Sequence, residues 1–266
     1  MLKRIITGIL AALVMVFALF GLNTLWFSVF TGILVLWAAW EWLSFSKKIS
    51  RILKLILIIL MGLLLAASGF VLTWIIPIGI FVWIFAIVLL LTPMSFSQFV
   101  NKPIFIIFSA FLFLIPAWCA VVYLQQENHH WGVVYVILIT ALADTGAYFS
   151  GRFFGKRLMA PQVSPKKTLE GALGGIILAS LIATLWFEWV GQTVRANFGE
   201  FLLISIGLVF ISIFGDLFES LLKRHCGVKD SGVLLPGHGG ILDRIDSVIA
   251  VLPVFAWIEM VGKFFA

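Results

Sequence analysis

Long apolar runs separated by short polar turns dominate the chain. Ile52 to Gly69 and Val71 to Leu91 are interrupted only by isolated Lys, Ser, Thr, Gly and Pro. Neither run alternates with period two, as barrel strands of about 10 residues would. Backbone facing lipid must satisfy its own hydrogen bonds, which a helix does within one segment. A helix needs about 20 apolar residues to cross a bilayer. The pattern predicts spans over residues 4–21, 23–43, 52–69, 71–91, 103–124, 131–150, 171–190, 201–222 and 242–264. Two longer polar loops, 151–170 and 223–241, break the rhythm. The first span follows Lys3-Arg4 and imitates a signal peptide. No small-x-small cleavage pattern follows it, so a retained helix is expected.

Composition sharpens this picture. Of 266 residues, 62% are hydrophobic and 11% charged, against about 45–50% and about 25% in soluble domains. A soluble enzyme, a disordered chain and a coiled coil are thereby excluded, leaving an all-α, polytopic integral membrane protein. Cys119 and Cys226 are too few for a disulfide framework or a zinc site, and read as packing residues. The net charge of +6 would suggest nucleic acid in a soluble protein. Here it follows topology, and no nucleic-acid partner is expected. Sixteen of the 18 Lys and Arg residues fall on alternate connections, leaving Arg195 and Lys263 for the other side. By the positive-inside rule the N-terminus and both long loops face the cytoplasm, as in a multi-pass inner-membrane protein.

Polar chemistry concentrates beyond about residue 140. Residues 1–130 read as scaffold helices, and residues 131–266 as the part carrying the site. Asp144 lies inside the sixth span, where an unpartnered carboxylate costs about 2.5–3.5 kcal/mol. A helix-packing role for it stays open. Asp216, Glu219, Ser220 and Lys223 share one face of the eighth span by their i, i+3, i+4 and i+7 spacing. Glu219 and Lys223 suit an internal ion pair. Asp243 and Asp246 share a face in the first turns of the ninth span, where capping explains one of them but not both. Gly237-His238-Gly239-Gly240 before them suits a tight turn and a close backbone approach to a ligand. His238 reads equally as a plain loop histidine. Four carboxylates at one depth, Asp144, Asp216, Asp243 and Asp246, would repel without a cation. Oxygen-only donors select Mg²⁺, Mn²⁺ or Ca²⁺, with Mg²⁺ usual where phosphates complete the shell.

Loop 151–170 supplies Lys166 and Lys167 with Ser164, Thr168 and Glu170 around them. Lysines serve as point charges for phosphate, and a helix starting near Leu169 would direct its first amides at an anion. An ordinary positive-inside loop touching lipid headgroups is the alternative. Gly171 and Gly175 form a small-xxx-small pair suited to close helix packing. The tryptophans, mostly near span ends, read as interfacial anchors.

The stretch Ser220-Leu221-Leu222-Lys223-Arg224, then Lys229-Asp230, Gly232, Leu235-Pro236, His238-Gly239-Gly240-Ile241 and Asp243-Arg244-Ile245-Asp246 resembles the signature of CDP-diacylglycerol synthases, the phosphatidate cytidylyltransferases. Ala143 to Tyr148 and Ser164 to Gly171 are similar to that family as well. The motifs span roughly residues 140–250, and the N-terminal half matches only as apolar spans. The resemblance implies a membrane nucleotidyltransferase that joins CTP and phosphatidic acid into CDP-diacylglycerol and pyrophosphate. It further implies a Mg²⁺ requirement, a second, monovalent ion such as K⁺ in some members, a nine-helix fold and a homodimer. On these positions it places Asp216, Asp243, Asp246 and Lys167 in catalysis, with Asp144 beside the carboxylates at the metal. Ser164, Lys166, Thr168, Glu170, Lys223, Arg224, Lys229, Asp230, His238, Gly239, Gly240 and Arg244 fall to substrate binding.

Two other classes remain. A secondary transporter would show mirrored halves with interrupted helices, and none are visible here. A CTP-dependent lipid kinase would release CDP instead of pyrophosphate. The Asp-Gly-x-x-Ala-Arg pattern of CDP-alcohol phosphotransferases is absent. For topology, cysteine tags placed in loops 151–170 and 223–241 should react only with reagent on the cytoplasmic side. Reaction of either loop from outside refutes the orientation.

Overall fold

The computed structural model describes residues 2–69, 71–91, 99–100, 102–127, 129–190, 196–232, 234 and 239–262, with side chains from Ala12 onward. Nine long helices stand among the described residues: α1 Leu2–Gly21, α2 Thr24–Leu43, α3 Arg51–Ser68, α4 Leu72–Leu91, α5 Pro103–Gln126, α6 His130–Phe154, α7 Leu169–Val190, α8 Phe198–His225 and α9 Leu242–Gly262. Eight are long and apolar enough to cross a membrane, and α1 is apolar over its described part, Ala12–Gly21. The nine predicted spans therefore coincide with nine helices. The polytopic all-α class holds.

Local chemistry sets the helix starts. Asn23 caps α2 by accepting from the Trp26 amide at 3.0 Å, and Ser50 caps α3 by accepting from Leu53 at 3.2 Å. Asn197 and Glu200 form a reciprocal capping box at the head of α8, the arrangement that satisfies two orphan amides at once. Pro103 opens α5, where its missing N–H costs nothing.

The loop assignment of 151–170 is only partly right. α6 continues to Phe154, and an antiparallel hairpin follows, β1 Leu158–Ala160 with β2 Ser164–Thr168. α7 starts at Leu169 directly from β2, as expected. Likewise Lys223 and Arg224 belong to the last turn of α8 rather than to a loop. Gly227, at φ +71°, lets the chain leave α8 in the left-handed conformation.

Packing follows the small residues. A Cβ on Gly146 would lie 2.6 Å from the Gly174 carbonyl, and one on Gly175 would lie 2.6 Å from the Ala143 carbonyl. The backbones of α6 and α7 thus touch, and Ser150 donates to the Glu170 carbonyl at 2.8 Å. Without a hydrophobic driving force between helices in lipid, such close van der Waals contact is what holds them. Gly215 of α8 plays the same part against α9, where an added Cβ would stand 2.7 Å from Ala250 Cβ and 2.9 Å from the Asp246 carbonyl. In the middle of the bundle Gly79 of α4 meets Pro116 of α5 and Pro253 of α9.

An aromatic core links four helices: Phe113 stacks on Trp42 at 5.7 Å and meets Trp83 at 4.5 Å and Phe218 at 4.7 Å between ring centroids. Four tryptophans, Trp42, Trp83, Trp118 and Trp186, are buried. They pack the core, contrary to their reading as interfacial anchors. Trp26, Trp74 and Trp189 are exposed and keep that reading. Large apolar side chains such as Ile52, Phe81 and Leu203 face outward, as lipid contact requires. Cys119 is buried, Cys226 is half-buried and both are free, as expected.

Gly175→Ala should overpack the α6–α7 contact at a cost of about 1–3 kcal/mol, read as a lower Tm in detergent. Gly207→Ala enters open space and should leave Tm unchanged or raise it. Equal Tm values for both variants would refute the close-packing account.

Candidate active site

A cavity of about 880 Å³ opens at the end of the bundle where α6 and α8 finish, α7 and α9 begin and the hairpin folds over. Its charged lining balances: Asp144, Asp216, Asp230, Asp243 and Asp246 face Lys166, Lys167, Lys223, Lys229 and Arg244. Ser164, Thr168 and Gly239 line it too. Residues separated by up to a hundred positions in sequence are thereby brought to one place.

Two groups of contacts organise it. The first joins α8 to α9. The Lys223 ammonium donates to Glu219 Oε2 at 2.8 Å and to Asp243 Oδ1 at 2.7 Å. The Glu219–Lys223 pair expected from the i, i+4 spacing is therefore real, and it extends across to the next helix. Asp243 also accepts from the Ser231 amide at 3.0 and 3.1 Å to its two oxygens, and from the Gly240 amide at 2.9 Å. Gly239 has φ +84°, and a Cβ there would sit 2.5 Å from Asp243 Oδ2. Only glycine allows both the left-handed turn and the approach.

The second group is open to the cavity. Lys167 is ion-paired with Asp216, and each side chain keeps about a quarter of its surface exposed (26% and 25%). Ser220 donates to Asp216 Oδ1 at 3.3 Å. Asp216 lies within Coulombic range of both Asp144 and Asp246. Lys167 and Arg244 are likewise in range of Asp144. These cations and carboxylates are what an incoming phosphate or metal ion would meet.

Glu170 and Arg224, expected as ligands, serve the hairpin instead, and Thr168 lines the cavity while capping a helix. Glu170 accepts from the Lys156 and Arg157 amides at 3.0 and 3.1 Å and does not line the cavity. Arg224 donates to the Val163 carbonyl at 3.4 Å, tying α8 to the hairpin turn outside the cavity. Thr168 caps α7, accepting from the Gly171 amide at 3.0 Å. The Leu169 amide donates to the Arg157 carbonyl at 2.9 Å. The Leu169 and Gly171 amides at the α7 start are thus engaged within the protein. Gly240 lies beside the cavity wall, its amide on Asp243. His238 lies outside the described residues.

The expected convergence of Asp144, Asp216, Asp243 and Asp246 on one ion takes a different form. All four line the cavity, but among the described residues no three acidic, His or Cys side chains stand close enough to chelate one ion. Asp243 is occupied by Lys223 and the two amides. Mg²⁺ does not need a protein cage, since one or two carboxylates plus substrate phosphates and water complete its shell. The hard oxygen donors of Asp216, Asp246 and Asp144 fit that mode.

One residue of the site escaped the sequence reading. Glu41 of α2 is buried, and its carboxylate accepts from Ser231 Oγ at 3.1 Å, Ile241 N at 3.2 Å and Leu242 N at 2.9 Å. It lies in the part of the chain that read as scaffold helices alone. The available signal was a lone Glu at the end of an apolar span, in Trp40-Glu41-Trp42.

Comparison with known proteins places the chain among relatives. The family model described as "Cytidylyltransferase family" matches residues 2–261. The phosphatidate cytidylyltransferase of Pseudomonas aeruginosa is 38% identical over 96% of this chain and 95% of its own length. That of Bacillus subtilis is 36% identical over 94% of each. That of Haemophilus influenzae is 33% identical over 96% of this chain and 97% of its own. Matched along nearly its whole length, the chain belongs to the cytidylyltransferase family.

Proposed function

We propose that the chain is a phosphatidate cytidylyltransferase, joining CTP to phosphatidic acid with release of pyrophosphate. The observation that carries this reading is the cavity itself: lysines and carboxylates interleaved at the end of a membrane-spanning bundle. A water-soluble nucleotide can reach such a place while acyl chains stay in lipid. The positive-inside pattern puts this face toward the cytoplasm of the inner membrane, where CTP would be met.

The chemistry needs no protein nucleophile. An oxygen of the phosphatidate phosphate attacks the α-phosphorus of CTP, and the bond from that phosphorus to the α–β bridging oxygen breaks. Pyrophosphate departs with the bond's electron pair. Such a transfer depends on positioning and on electrostatic stabilisation of the spreading charge. Lys167 and Lys166 bind phosphate oxygens, and Lys167 is already oriented by Asp216. Arg244 and Lys229 add positive charge along the wall. Asp216 and Asp246, with Asp144 nearby, would hold Mg²⁺, which when bound neutralises phosphate charge. Asp243 keeps α9 and Lys223 in place.

Asp216→Asn and Asp246→Asn should each lower turnover by about 10²–10³-fold in folded, inserted protein, with Mg²⁺ dependence shifted to higher concentration. The assay is purified protein with labelled CTP, phosphatidic acid and Mg²⁺, both products being identified. CDP in place of pyrophosphate would mean a kinase and overturn the reading. Excess EDTA should abolish turnover and added Mg²⁺ restore it, and undiminished turnover in EDTA would remove the metal.

Lys167→Ala should lower kcat/KM by about 10–150-fold, the worth of one charge-assisted bond. If these lysines only touch headgroups, Lys166→Ala and Lys167→Ala should both stay within about twofold. Varying CTP and phosphatidic acid separately shows which polyanion each lysine serves.

A further inference from the structure

We propose that Glu41, on a helix of the N-terminal half, is a positioning residue for the transfer reaction. Its carboxylate fixes the start of α9, and with it Asp243 and Asp246, against the end of α8.

The first amides of a helix have no acceptor within the helix, and a negative charge there is favourable. At α9 that acceptor comes from a distant helix. Glu41 Oε1 accepts from Ile241 N at 3.2 Å, while Oε2 accepts from Leu242 N at 2.9 Å and Ser231 Oγ at 3.1 Å. Leu242 is the first residue of α9 and Asp243 the second. The same Ser231 hydroxyl accepts from the Asp243 amide at 3.3 Å. A continuous path therefore runs from Glu41 through Ser231 to Asp243, and on through Lys223 to Glu219.

Two glycines make room for this carboxylate. A Cβ on Gly232 would lie 2.9 Å from Glu41 Cδ, and one on Gly240 would lie 2.6 Å from it. The backbone on either side of the site loop is thus closed down onto Glu41. α2 itself is anchored next door by buried Trp42, whose indole N–H donates to Ser109 Oγ at 3.0 Å. The bonds from Glu41 fall at the residues immediately before Asp243, with Asp246 one turn on. Loss of this support moves the reacting groups without touching any phosphate-binding lysine. A misplacement of about 1 Å can cost about 10²-fold in rate.

Glutamine cannot replace it. The carboxylate meets donors at both oxygens, whereas a carboxamide offers one oxygen and turns an NH₂ toward an N–H or O–H donor.

The inference rests on the cytidylyl-transfer reading, and the two fail separately. Turnover by the parent protein tests that reading, whereas the ratio of variant to parent tests Glu41. The full-length protein is compared with Glu41→Gln and with Trp42→Phe, which breaks the Trp42–Ser109 bond on the same helix. Glu41→Gln should lower kcat per folded molecule by about 10²-fold and leave both KM values within about threefold. Amide hydrogen exchange at Ile241 and Leu242 should speed up. Trp42→Phe should lower Tm but keep kcat. If Glu41→Gln does not accumulate, Glu41→Asp, which withdraws the charge by one methylene, should show the same selective fall in kcat. Parent-like kcat in the variant measured, or a fall no greater than Trp42→Phe gives, overturns the proposal.

Discussion

The Lys223 ammonium, held between Glu219 on its own helix and Asp243 on the next, ties the end of α8 to the beginning of α9. The pair is largely buried: the lysine side chain keeps 11% of its surface and the carboxylates 3% and 9%. Removing one partner from such a bridge leaves a desolvated charge and typically costs about 3–5 kcal/mol. Gly215 allows the two helices close enough for the bridge to form. Asp246, one turn beyond Asp243, lines the same cavity as Asp216.

The same constraint explains how the other walls are built. Polar groups near lipid must find partners inside the protein, and several carboxylates at the site do so across elements. Asp243 gathers the Ser231 and Gly240 amides, Glu170 gathers two amides of the hairpin, and Glu41 takes the first amides of α9. Lys167 of β2 and Asp216 of α8 pair with each other at a more open surface. Their partial exposure leaves both groups accessible from the cavity.

The N-terminal half is more than a lipid-facing wall. Trp42 and Phe113 stack into the core beside Phe218, which lies between Asp216 and Glu219 on α8. Glu41 reaches the site loop from the same helix end.

The sequence alone determined the membrane class, the number and approximate limits of the helices, and the membership of most of the cavity wall. The helices follow from local rules, unbroken apolar length and residues three or four apart sharing a helical face, whereas Lys229, Asp230 and Arg244 of the wall were legible only through the resemblance to a known family. Asp216, Glu219 and Lys223 were legible for that reason, as was the close packing at Gly171 and Gly175. Tertiary structure decided which polar groups answer one another across helices. It turned Arg224 and Glu170 to the hairpin, engaged Asp243 with Lys223 and two amides, and brought Glu41 across about 200 positions to Leu242. A hydrogen bond between distant segments leaves no periodic trace in sequence, because its partners are set by how helices pack and not by their spacing along the chain.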